Sequence, residues 1–156
     1  MEIAVISDTH RYTYVFDKLI RAISHADVLI HLGDNVQDLT EITRDFKGEV
    51  YNVRGNCDYN TRVPIDRFEE IGGINILLTH GHKYHVKDSM LNLKHHAMEI
   101  GADLVLFGHT HVSEILFEEG IWFVNPGSPS LSRDGYNSYA IIKVENNKIN
   151  PSIRSL

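Results

Sequence analysis

Cysteine is almost absent from this chain. Its single example, Cys57, stands alone in 156 residues. One thiol excludes an internal disulfide framework and any thiolate-rich metal site. Tryptophan is equally scarce, with one residue, and proline numbers four. No apolar run exceeds a handful of residues, which excludes a membrane-spanning helix, since such a helix needs about 20. An excess of basic charge is missing too: 15 Lys and Arg face 21 Asp and Glu, a formal charge of −6. The basic residues are scattered, so neither a broad nucleic-acid surface nor a stable nucleic-acid complex is expected. Met1-Glu2-Ile3 carries no basic leader and enters a strand-like run directly. The expectation is therefore a cytoplasmic protein without membrane association. A hydrophobic fraction of 42% with 23% charged residues argues against disorder. The length suits one domain, residues 1–156. What the chain has in excess is histidine, ten in all. Any bound metal would be held by nitrogen and oxygen.

Hydrophobic periodicity orders the first half as βαβαβ. Glu2–Ile6 is a short apolar strand ending in Ser7-Asp8. Phe16, Leu19, Ile20 and Ile23 share one helical face, with Thr13 as the expected N-cap. Val28–His31 reads as a second strand. Val36, Leu39, Ile42 and Phe46 mark a second helix stopped by Gly48, and Glu49–Val53 a third strand. This order implies parallel pairing with right-handed crossovers.

Hairpins dominate the second half. Arg67–Ile71 and Ile74–Thr79 flank Gly72-Gly73. Met90, Leu93, Ala97 and Ile100 form a third helical face before Gly101, followed by a strand at Leu104–Phe107. Ile115–Phe117 pairs with Ile121–Val124, where Trp122 and Phe123 are read as core. Tyr139–Val144 pairs with Lys148–Ile153 across Asn146-Asn147. The expected architecture is two packed sheets with helices outside, a mixed α/β fold.

Five polar clusters follow predicted strands: Asp8-Thr9-His10, Gly33-Asp34-Asn35, Gly55-Asn56-Cys57-Asp58, His80-Gly81-His82 and Gly108-His109-Thr110-His111. Sites in α/β sheets form beyond the carboxyl ends of strands, so all five point to one edge. If the chain leaves each strand still extended, residues i and i+2 face the same way. Asp8 with His10, and His109 with His111, would then converge. A buried carboxylate at Asp34, with no basic neighbour in sequence, needs hydrogen bonds or a cation. Two carboxylates, four imidazoles and the Asn56 amide make seven donors, too many for one tetrahedral ion and suited to two ions sharing a carboxylate. His31, inside an apolar strand, reads as a hydrogen-bonded core residue.

The motifs SDTH, HLGD, VRGNCD, LTHGH, GHTH and NPGS, in that order, resemble the calcineurin-like metallophosphoesterase superfamily, in particular its small prokaryotic phosphodiesterase branch. The resemblance spans essentially the whole chain. It implies a four-layer αββα sandwich. It places one metal on Asp8, His10, Asp34 and His111, and a second on Asp34, Asn56, His80 and His109, with Asp34 bridging. The implied reaction is hydrolysis of a small phosphodiester by in-line attack of a metal-bridging hydroxide. Two divalent ions are implied, Mn2+ first, with Ni2+, Fe2+, Co2+ or Zn2+ as alternatives.

Asn56, Cys57, Asp58 and Arg54 are the catalytic candidates that go with this set. Cys57 departs from the wider superfamily, where a His in that position is thought to protonate the leaving group. A thiol beside two cations is expected to have a lowered pKa, favouring leaving groups of low pKa. Arg11 and Arg133 are further phosphate-fork candidates. Asn125 and Ser128 are expected to line the site, and His82 to orient a ligand. His25, His85, His95 and His96 read as surface residues. Two other functions fit the same resemblance: a non-catalytic scaffold, as in a eukaryotic retromer subunit, and a phosphomonoesterase. A homodimer or higher homo-oligomer is the default oligomeric expectation.

Overall fold

The computed structural model describes residues 1–156. β1 (Glu2–Ile6), β2 (Val28–His31) and β3 (Glu49–Asn52) run parallel, because each connection is long enough to cross the sheet face. β9 (Ser138–Glu145) returns from the far end of the chain and pairs antiparallel with β1, and β10 (Lys148–Ser155) folds back on β9. The first sheet is thus ordered β10-β9-β1-β2-β3. The second comprises β4 (Asp66–Ile71), β5 (Ile74–Thr79), β6 (Leu104–Leu106), β8 (Ile121–Pro126) and β7 (Ser113–Glu118), in that spatial order. β5, β6 and β8 are mutually parallel, with β4 and β7 antiparallel at the edges.

Three apolar layers hold these elements. The inner faces of the two sheets meet in a core that includes Ile3, Val5, Ile30, Ile76, Leu104 and Ile142. α1 (Phe16–Ile23) and α2 (Leu39–Ile42) cover the outer face of the first sheet through Phe16, Leu19, Ile23 and Ile42. α3 (Leu91–Ile100) covers the second through Leu93 and Ala97. The result is the expected helix–sheet–sheet–helix stack. Burying one such aliphatic side chain contributes about 1.5–3 kcal/mol. No helix is long and apolar enough to cross a membrane.

Two helical expectations need correction. Thr13 does not cap α1. It opens a 3-10 turn over Thr13–Val15 that runs into the helix without a side-chain cap. The second helix does not reach Phe46. A 3-10 turn at Val36–Asp38 leads into one α-helical turn ending at Ile42. There Thr43 turns its hydroxyl back onto the Leu39 carbonyl at 2.6 Å, and the Phe46 N–H bonds to Thr43. The buried face continues although the helix does not, so Phe46 still packs beside it.

Candidate metal centre

The carboxyl ends of β1, β2, β5 and β6 deliver four of the five polar clusters to one edge, and the loop after β3 adds the fifth. Ligand atoms of Asp8, His10, Asp34 and His111 all lie within 4.8 Å of one another. Asp34 stands between two groups. Its Oδ2 is 3.6 Å from His10 Nε2, and its Oδ1 is 3.5 Å from His80 Nε2. His80 Nε2 in turn lies 3.2 Å from His109 Nδ1. Six of the seven expected ligands therefore converge. The seventh, Asn56, is exposed at the rim, with its amide near the Cys57 sulfur at 3.5 Å.

The backbone brings Asp8 and His10 together in an unexpected way. The chain is not extended there. Asp8, His10, Asp34, His109 and His111 all have positive φ, between 49° and 71°. This region is unfavourable for side chains with a Cβ, and such strain gathers at functional sites. Two glycines make room for it. A Cβ on Gly55 would strike the Asp34 carboxylate, and one on Gly108 would strike Ser7 Oγ and approach Asp8.

The donor set fits a cation. His80 donates its Nδ1–H to the Leu32 carbonyl at 2.8 Å, and His111 donates its Nδ1–H to Leu131 at 2.8 Å. Both rings then turn an Nε2 lone pair inward, as a backbone-anchored metal ligand does. Asp8 Oδ1 is buried without a hydrogen-bond partner, 3.2 Å from His111 Nε2. Lone pairs facing one another in a buried site require a positive charge between them.

The carboxylate and the imidazoles shift one another's titration. Burial pushes the Asp8 carboxyl up, but the facing imidazoles of His111 and His80 outweigh it and bring it down to about 2. The facing Asp8 carboxylate raises His111. Burial, with repulsion from His80 and Lys87, lowers His109 to about 4.

A family model described as the calcineurin-like phosphoesterase superfamily domain matches residues 1–147. The chain belongs to this superfamily. It is similar to the probable metallophosphoesterase YsnB of Bacillus subtilis, 36% identical over 94% of this chain and 86% of the relative. The crystal structure of a predicted phosphoesterase from Streptococcus pneumoniae superposes with a TM-score of 0.82 at 27% identity, covering 99% of this chain and 88% of that one. Two more distant structures share the fold. Vps29 of Entamoeba histolytica has a TM-score of 0.81 at 20% identity, covering 100% and 99% of the two chains. An archaeal phosphodiesterase has a TM-score of 0.76 at 21% identity, covering 99% and 100%.

In this superfamily member the other candidates separate by place. Asp58 is buried and accepts four backbone N–H groups, from Asp34, Asn35, Val36 and Gly55, at 2.8–2.9 Å. It ties the Asp34 loop to the GNCD loop. Cys57 is exposed, and its N–H donates to Asp34 Oδ1 at 2.9 Å. Partial burial, the Asp34 hydrogen bond and the nearby carboxylates push its thiol up to about 11 in the metal-free protein. Arg54 is half-buried, with its N–H on the Pro64 carbonyl. Arg11 turns to Gln37 at 3.3 Å, and Arg133 is tied by its N–H to the His111 carbonyl.

Asn125 and Ser128 do not line the site. Both are fully buried. Asn125 donates to Gly108 O and Thr110 Oγ1, each at 3.0 Å, and Ser128 donates to Asp8 O at 2.8 Å. His82 lies beside His80 and His109 with a buried Nδ1 that has no partner. His31 is the core residue expected. It accepts the Gly33 N–H on Nδ1, which leaves Nε2–H for Thr9 Oγ1 at 3.2 Å. His96 stacks on Tyr84 at 5.5 Å and is not a free surface group.

Sequence reasoning missed Asp38. Its Oδ2 accepts the Thr9 hydroxyl at 2.5 Å and the Arg11 N–H at 3.0 Å, pinning the DTH loop from outside. The only signal was a carboxylate four residues after Asp34, between the apolar Val36 and Leu39.

Proposed function

We propose that this phosphoesterase is a two-metal phosphodiesterase acting on small phosphodiesters. The observation that carries the reading is Asp34, whose two oxygens turn toward different imidazole groups, His10 at 3.6 Å and His80 at 3.5 Å. A carboxylate so placed suits a bridging role. Asp8, His10 and His111 would hold one ion with it, and His80, His109 and Asn56 the other. Divalent ions there would lower the pKa of a bound water and neutralise charge growing on the phosphate oxygens. The chain's own part is positioning. Asp58, Asp38, Asn125 and Ser128 fix the ligand loops, and the Nδ1 anchors fix the imidazoles. Arg54 is placed in this reading to steady the phosphate, and Cys57 stands nearest the leaving group. Manganese is the first candidate metal, and the cytoplasm the proposed compartment.

The test strips the protein with chelator, then restores manganese, nickel or zinc. A model aryl phosphodiester is assayed beside the matching monoester. The reading expects restored activity, a preference for the diester, and none in Asp34→Asn. Activity without metal, or an equally active Asp34→Asn, would refute it. Faster monoester turnover would make the protein a phosphomonoesterase. Metal binding without any turnover would favour the scaffold reading.

A further inference from the structure

The sandwich has two long mouths, where the edges of its sheets face each other, and they are finished differently. At the β3/β4 mouth, Arg67 of one sheet lies over the Tyr51 ring of the other, 5.1 Å from its centroid, and pairs with Glu69 at 2.7 Å. Asp66, Arg67, Glu69 and Glu70 make β4 a charged edge, a common defence against edge pairing.

At the β7/β10 mouth the two edge strands approach each other, but no charged group crosses it and its rim is apolar. The inner face of β7 presents Ile115 and Phe117, 38% and 56% exposed. Phe117 packs on Trp122, with ring centroids 4.7 Å apart. Across the mouth, Ile149 and Ile153 of β10 close the core only in part. At the turn end the mouth runs into a groove of about 500 Å³ lined by Ile74, Trp122 and Ile149, with Asp103 and Lys148 at its lip. The outer faces differ in charge. β7 carries Glu114 free, with Glu118 already paired to Lys94 at 2.6 Å, whereas β10 carries Lys148 and Arg154.

We infer that this apolar rim is covered by a second copy of the chain, related by a two-fold axis running along the strands. That operation sets β7 of each subunit beside β10 of the other. β10 runs parallel to β1, and β7 runs antiparallel to β8, so the new pairing is antiparallel. The inner faces then meet apolar to apolar, with Ile115 and Phe117 against Ile149 and Ile153 of the partner subunit. The outer faces meet acid to base, with Glu114 against Arg154 of the partner subunit. Charge complementarity between the two strips selects a second copy over an unrelated partner, because each subunit supplies both halves. Pro151 lacks an N–H, so the joint rests on side chains more than on an unbroken ladder. The metal centre lies at the carboxyl ends of the strands, and the interface runs along their flank.

Analytical ultracentrifugation decides the matter. The wild type is expected at twice the 17.8 kDa chain mass. Phe117→Arg should weaken the dimer at least ~30-fold, as loss of a central aromatic anchor does. Circular dichroism would check that this variant folds. Glu114→Arg and Arg154→Glu should each weaken association, and the double variant should recover it. A wild type that stays monomeric into the high micromolar range overturns the inference. So does a dimer indifferent to Phe117→Arg, or a double variant no better than the singles.

Discussion

The Asp58 carboxylate receives the backbone N–H of Asp34 at 2.8 Å, so one buried acid holds another in place. The same carboxylate takes the N–H groups of Asn35, Val36 and Gly55. Asp58→Ala would leave these donors unpaired. A loss of at least about 3 kcal/mol is expected, since a bond to a charged acceptor contributes about 1.5–3 kcal/mol and burial penalises the orphaned donors. Asp58→Asn should lose less. Urea denaturation measures both, and an Asp58→Ala variant as stable as wild type would contradict the reading.

Gly55→Ala tests the close approach beneath Asp34. The added methyl has no space beside the carboxylate. The variant should keep its fold by circular dichroism but bind manganese at least ~10-fold more weakly, as when the support of a ligand is disturbed. Calorimetric titration gives the comparison, and unchanged affinity would show that the glycine is dispensable.

His31 gives the metal-free protein a signed pH dependence. Burial lowers it from 6.5 to about 4. Between these values the unfolded chain takes up a proton that the folded chain refuses. Stability therefore falls as pH drops from 6.5 toward 4, by about 3 kcal/mol from this group when the interval is complete. Above 6.5 the group contributes no slope. His31→Gln should flatten this part of a stability-versus-pH curve taken in chelator. A curve as steep as the wild type's would assign the slope elsewhere.

Cys57 bears on the leaving group. Its exposed thiol stands where the wider superfamily carries the His thought to protonate that group. The wild type should depend steeply on leaving-group pKa across a series of aryl phosphodiesters, and Cys57→His should depend less. Equal slopes would remove Cys57 from the proton question.

The strands were legible because short apolar runs end in polar clusters, and a buried strand has few other ways to appear in sequence. Glu2–Ile6, Val28–His31 and Ile74–Thr79 have the expected bounds. The convergence of Asp8, His10, Asp34, His80, His109 and His111 was legible as well, since each follows a strand. How they converge was not. Alternating spacing suggested extended chain, while the loops turn through left-handed backbone held by Asp58, Asp38 and Ser128, all distant in sequence. The second helix was misread for a related reason. Val36, Leu39, Ile42 and Phe46 mark a buried face, and a 3-10 turn, a short helix and a tight turn can share one. Asn125 and Ser128 sit in a motif that looks like site lining, yet they donate to the Gly108 and Asp8 carbonyls and to Thr110 Oγ1, partners that no local pattern reveals.

The left-handed ligand backbone also sets the direction of least resistance for this fold under mutation. Asparagine tolerates φ near the 61° of Asp34, can keep the Cys57 N–H bond, and removes a carboxylate that stands close to Asp8. Metal-free Asp34→Asn should therefore be more stable than metal-free wild type by up to about 1 kcal/mol, about 2–4 °C in melting temperature, while losing the added stability that metal confers. Activity and firmness pull against each other at these positions. A lineage released from selection for hydrolysis would drift toward a sturdier, inert version of the same sandwich, with its shape and surfaces intact.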